Sequence, residues 1–187
     1  MYLPVFCRQT LFLNIYIIVS KRAFKKYVSE LPEDELRLQL VDLYERFSEV
    51  KTYYDFIFNP KEDKLLQEAK TKISNEYFPI KRKRPKARRS VAQKFIKQFN
   101  TLGMEPSLIA DVMCFNLEIG QTFAMDRTVP VSFYKSMANS FTQMTQFVSQ
   151  NGLLIDFKER IVKLYKQTQD ENWPYGEEFS KALDILD

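Results

Sequence analysis

The stretch Pro106–Phe123, PSLIADVMCFNLEIGQTF, decides the fold class. Pro106 suits a first helical position, where its fixed φ fits and its missing N–H costs nothing. Behind it, Leu108, Ile109, Val112, Met113, Leu117, Ile119 and Phe123 make the segment apolar nearly all round. A helix of that kind is expected at the centre of a helical protein.

The flanking segments read as helices too. Downstream, Pro130 opens one with Tyr134, Met137, Phe141, Met144 and Val148 inward, and Asn151-Gly152 closes it. Leu154, Phe157, Ile161 and Leu164 line the next. Trp173-Pro174 and Gly176 interrupt the chain before a last short helix with Phe179, Ala182, Leu183 and Leu186. Upstream, Ser90 and Gln93 read as a capping box before the stripe Val91, Ala92, Phe95, Ile96, Phe99 and Leu102, which Gly103 ends. Asn59-Pro60-Lys61-Glu62 reads as another start, with Asn59 as cap and Pro60 first in the helix; it leads to Leu65, Leu66, Ala69, Ile73 and Tyr77, and Pro79 is the stop.

A short helix is expected over Arg22–Leu31. Pro32 and the acids Glu33, Asp34 and Glu35 then open the longest one. Leu36, Leu40, Leu43, Phe47, Val50, Tyr54 and Ile57 follow a heptad spacing. The favoured reading is an internal bundle helix; the alternative is a dimeric coiled coil. Short Pro or Gly breaks between helices favour antiparallel neighbours. The fold expected is all-α: an antiparallel helical bundle or short α-solenoid of about seven to eight helices. Gln39–Phe47 (QLVDLYERF) and Arg160–Thr168 (RIVKLYKQT) are weakly alike, which leaves room for the solenoid.

Residues 1–18 do not look like the rest. Leu11–Val19 is apolar apart from Asn14, too short for a spanning helix, and no small-residue cleavage site follows it. The expectation is a non-native or disordered extension, with Val19 as the natural start and 19–187 as a single helical domain. A membrane partner enters only if residues 1–19 are a genuine anchor.

One segment is chemically distinctive. Pro79–Phe99, PIKRKRPKARRSVAQKFIKQF, holds Lys81, Arg82, Lys83, Arg84, Lys86, Arg88, Arg89, Lys94 and Lys97 and no acid. These are 9 of the 28 basic residues, leaving 19 against 24 acids elsewhere. Cations crowded before a helix N-terminus oppose its positive end unless a negative group sits there. That group is either an external phosphate or one of the chain's own acids, with a solvated loop as the bland reading. If Arg88 is helical it needs a buried acid, for which Asp111 and Glu118 are the candidates.

Composition excludes several classes. There is no His, which removes Ser-His-Asp chemistry and the commonest zinc ligand. Four Gly in 187 residues argue against a Gly-rich phosphate loop. Cys7 and Cys114 have no CxxC partner, so reduced thiols in a cytoplasmic protein are the simpler account. Sixteen Phe and ten Tyr point to an aromatic core. Asp111 and Glu118 share a helix face, but carboxylate-bundle metal sites add His; pairing with the Arg cluster or exposure is expected instead. Asp55, Glu62, Asp63 and Glu68 have the spacing of an exposed face with pairs such as Lys64–Glu68. No cofactor, no metal and no catalytic residue is expected.

Tyr53–Pro79 (YYDFIFNPKEDKLLQEAKTKISNEYFP) and Lys86–Phe99 (KARRSVAQKFIKQF) together resemble a bacterial family catalogued as domain-of-unknown-function family 6155, with the likeness running from Ser20-Lys21-Arg22 onward. The resemblance implies a bacterial, cytoplasmic, helical protein and says nothing of catalysis. Two functions are carried forward: a helical module whose basic surface (81–97) contacts nucleic acid or another polyanion, and a protein–protein adaptor, with an acidic protein among its partners.

Overall fold

The structure, a computed structural model, describes residues 20–81 and 84–186, with the side chain of Leu186 outside the description. The expectations for residues 1–18 fall outside the described residues. The chain divides into two units, Met1–Lys51 and Thr52–Asp187.

The first unit contains α1 (Lys21–Glu30) and α2 (Glu33–Arg46). Ser20 caps α1 through a hydroxyl that accepts the Ala23 N–H at 3.2 Å. Acids at Glu33, Asp34 and Glu35 meet the positive end of α2. Neither helix buries a residue. The long helix expected from the heptad spacing is broken at Phe47, whose backbone is extended (φ −113°, ψ 114°). α3 (Ser48–Phe58) then starts afresh. Ser48 with Glu49 is a start signal in its own right: the Glu49 carboxyl is held below its usual value by its own backbone N–H and by the Ser48 hydroxyl. The internal-helix reading is corrected as well, because Leu36, Leu40, Leu43 and Phe47 are all exposed.

The second unit has a dense core. Its helices are α4 (Glu62–Tyr77), α5 (Arg89–Leu102), α6 (Pro106–Met125), α7 (Val131–Gln150), α8 (Leu154–Asp170) and α9 (Gly176–Leu183), followed by a single 3-10 turn at Asp184–Leu186. No strand occurs among the described residues. α6 is central, as its apolar circumference requires: it packs on α4, α5, α7 and α8, while α9 lies on α7 and α8. Phe56 of α3 joins this core from its edge. The aromatic core is present. Tyr134 and Trp173 lie 5.0 Å apart between ring centroids, Phe141 and Phe179 5.2 Å, and Tyr77 and Phe123 5.6 Å.

Two glycines set local geometry. Gly103 takes φ +71° at the end of α5 and lets the Met104 N–H return to the Phe99 carbonyl. Gly120 lets the Met137 side chain of α7 lie directly against α6, since a side chain there would collide with it.

Two helix starts differ from the sequence reading. α4 begins at Glu62 with Lys61 as cap, because the Asn59 N–H is still closing α3 on Asp55 and Phe56. α5 begins at Arg89, so Ser90 lies inside the helix and forms no capping box. The residue that fixes this earlier start is Glu76.

Candidate anion-binding site

Glu76 is a charged residue on the buried face of α4, only 7% exposed, between Ile73 and Tyr77. It holds the following segment in two ways. Its carbonyl accepts both the Lys86 N–H (3.0 Å) and the Ala87 N–H (2.9 Å). Its carboxylate takes the Arg88 guanidinium in a fork, Nε to Oε2 at 2.9 Å and Nη2 to Oε1 at 3.0 Å. Ala87 is bent to φ +47°, a conformation that costs an L-residue energy and persists only where its surroundings impose it. The acid expected for Arg88 is therefore Glu76 rather than Asp111 or Glu118, and Arg88 caps α5 instead of lying within it.

This clamp turns the chain so that Arg89 enters a cleft between the segment 85–89 and the start of α7. Arg89 Nε donates to Ser140 Oγ at 2.6 Å, and Nη2 donates to Gln143 Oε1 at 2.7 Å. Among the described residues Arg89 meets no carboxylate, and burial lowers its pKa. The cleft has a volume of about 370 Å³. Lys86, Arg89, Thr128, Ser132 and Ser136 supply its polar lining, Phe133 and Tyr77 are among its apolar walls, and among the described residues no acid lines it. Burial pushes the Tyr77 hydroxyl up to about 12, so it stays neutral; it bonds to Asn116 Oδ1 at 3.3 Å. Arg127 lies over the Phe123 ring at 4.8 Å, adding a cation behind that wall.

The remaining cations of the basic stretch are spread around this feature. Lys81, Arg84 and Lys86 are exposed before α5, and Lys94 and Lys97 lie on its exposed face. None of these five makes an ion pair among the described residues; Arg88 does. Arg82 and Lys83 lie outside the described residues.

Asp111 and Glu118 have a different partner. Arg160 of α8 forks onto Glu118 (2.5 and 2.8 Å) and reaches Asp111 Oδ1 at 2.7 Å, while Lys70 holds Asp111 Oδ2 at 2.5 Å. Burial alone would raise the Asp111 carboxyl, but the bonds from Lys70 and Arg160 outweigh it and hold it low. The sequence reading expected pairing with the Arg cluster or exposure; the structure pairs these acids with Arg160 and Lys70.

The carboxylates considered for catalysis are scattered. Glu62 accepts the Glu105 N–H at 3.0 Å. Asp55, Lys61, Lys64 and Glu68 line a groove between α3 and α4 that carries both signs of charge, and Lys64 and Glu68 form no ion pair among the described residues. Among the described residues no three His, Cys, Asp or Glu side chains cluster as a metal site would need.

Sequence reasoning found the basic stretch but missed Glu76, Ser132, Ser136 and Arg160. Glu76 had a signal, being a charge on the buried stripe beside Ile73 and Tyr77. Ser132 and Ser136 also had one, as hydroxyls a turn apart where α7 begins.

Among the described residues no helix is long and apolar enough to cross a membrane. No curated protein and no solved structure matches the chain. The sequence model of the Family of unknown function (DUF6155) matches residues 19–187, and the chain belongs to that family.

Proposed function

We propose that this protein binds a polyanion, nucleic acid being the first candidate, through the surface formed by Lys81, Arg84, Lys86, Arg89, Lys94 and Lys97. One observation carries the reading. Glu76, Asp111 and Glu118 are paired with other cations, and these six are without a carboxylate among the described residues. Clustered, unneutralised cations bind phosphate backbones by releasing counterions, without reading sequence. The compartment proposed is the cytoplasm, which suits the buried free thiol of Cys114.

The test is binding of the full chain to single- and double-stranded nucleic acid across a salt series. The wild type is expected to lose affinity with a steep log–log slope. Changing Lys81, Arg84, Lys94 and Lys97 to Gln is expected to flatten that slope by about 3 units, at roughly 0.7–0.9 per phosphate contact. Equal slopes for wild type and variant would remove the proposal.

The adaptor reading is kept because of α2. Its row Leu36, Leu40 and Leu43 is exposed, while Arg37 pairs with Glu33 and Asp34 and Arg46 pairs with Asp42 on the same helix. An exposed apolar row of this kind fits the apolar face or groove of a protein partner. Light scattering tests the adaptor reading: a stable oligomer that falls apart at high salt would favour it.

A further inference from the structure

We infer that the cleft between residues 85–89 and the start of α7 seats a small phosphate monoester carrying a flat ring, of the size of a nucleoside monophosphate. The inference rests on the anion-binding reading of this face and narrows it from a surface to one pocket.

The polar half of the cleft is built for an anion. Arg89 is fixed by two neutral partners, Ser140 Oγ and Gln143 Oε1, so the guanidinium is oriented but not neutralised. Its Nη1 makes no hydrogen bond to the protein among the described residues. A cation that exists only to hold the fold together is usually matched with a buried acid, as Arg88 is with Glu76. Arg89 instead bears its desolvation without an acid to offset it, which an incoming phosphate would supply. Lys86 and the hydroxyls of Ser132 and Ser136 line the same space.

The other half is apolar. Phe133 is half-buried, backed by Trp173 at 6.3 Å, and lines the cleft with Phe123, Val129 and Met137. A volume of about 370 Å³ falls at the lower end of small-molecule sites, too small for a duplex and ample for one nucleotide. The strained Ala87 and the Glu76 clamp hold one wall in place before any ligand arrives.

The experiment is calorimetric titration of the full chain with adenosine 5′-monophosphate, adenosine and inorganic phosphate. The monophosphate is expected to bind at least tenfold tighter than either part alone. Arg89→Gln should weaken it at least tenfold, and Lys86→Gln severalfold. Ser132 is exposed and sits in the first turn of α7, where an added acid favours the helix, so Ser132→Glu should fold well and still abolish binding. The variant lacking Lys81, Arg84, Lys94 and Lys97 should bind the monophosphate as wild type does. No heat with the monophosphate at millimolar concentration overturns the inference. So does wild-type affinity in Ser132→Glu. Nucleic-acid binding without monophosphate binding removes the pocket and leaves the surface reading standing; the reverse removes the surface and keeps the pocket.

Discussion

Arg89 and Arg160 are both partly buried arginines in the same helical unit, and the fold treats them in opposite ways. Arg160 faces two carboxylates, with Lys70 on the far side of one of them. Its hydrogen bonds to Glu118 raise its pKa above the usual arginine value, against the opposing effect of burial. Arg89 faces a serine, a glutamine and a cleft, and burial lowers its pKa. The first arrangement joins α6 to α8. The second leaves a positive charge facing a cleft that no described residue fills. A charge whose partners are all present serves the fold, and one oriented but unmatched is available to a ligand.

The comparison breaks most readily at Arg160. Arg160→Met would leave Glu118 without its cation and Asp111 with Lys70 alone. The expected loss is about 2–3 kcal/mol in urea unfolding, below the value for a fully buried pair because these side chains are partly exposed. Acid should erase part of the difference. Asp111 is held below its usual value of 3.8, so its contribution is present above that pH and is lost as pH falls through the lower folded value. A gap between wild type and Arg160→Met that stayed constant down to pH 2 would contradict the pairing.

A smaller effect sharpens the view of the cleft at high pH. The Tyr77 hydroxyl is raised from 10.0 to about 12 by burial. Its stabilisation is therefore complete below pH 10 and is lost as pH rises from 10 to 12. Alkaline unfolding of Tyr77→Phe should lack that component and fall less steeply in this window.

The smallest effect is the most telling one. Arg89→Met should change stability by less than about 1 kcal/mol, because no carboxylate is stranded and Ser140 keeps its bond to the Ser136 carbonyl. A loss as large as that of Arg160→Met would make Arg89 a structural residue and dissolve the contrast.

The sequence carried the architecture well where one physical signal dominated. α6 is central because Ile109, Val112, Met113 and Leu117 make it apolar nearly all round, leaving Asp111 and Glu118 as a charged strip, and that was legible from spacing alone. The stripe Ala92, Ile96, Phe99 and Leu102 was legible for the same reason. The seam over Leu36–Ile57 misled, because heptad spacing reports a face that wants a partner and not whether this chain provides one. The charge run 81–97 was visible, but its division into a clamped part and an unpaired part was not. That division depends on Glu76 reaching Arg88 across twelve positions, a contact that no local pattern encodes. Arg160 was hidden for a related reason: the acids it meets lie 42 and 49 residues away.

The Glu76 carbonyl has a consequence for motion. The amides of Lys86 and Ala87 share this single acceptor, so neither can open to solvent without disturbing the other. Their hydrogen exchange should therefore proceed as a pair, at one rate set by release of the turn rather than by unfolding of α4 or α5. A bound anion that bridges Lys86 and Arg89 would slow both amides together. Deuterium uptake at two neighbouring positions thus reports occupancy of the cleft without any label on the ligand.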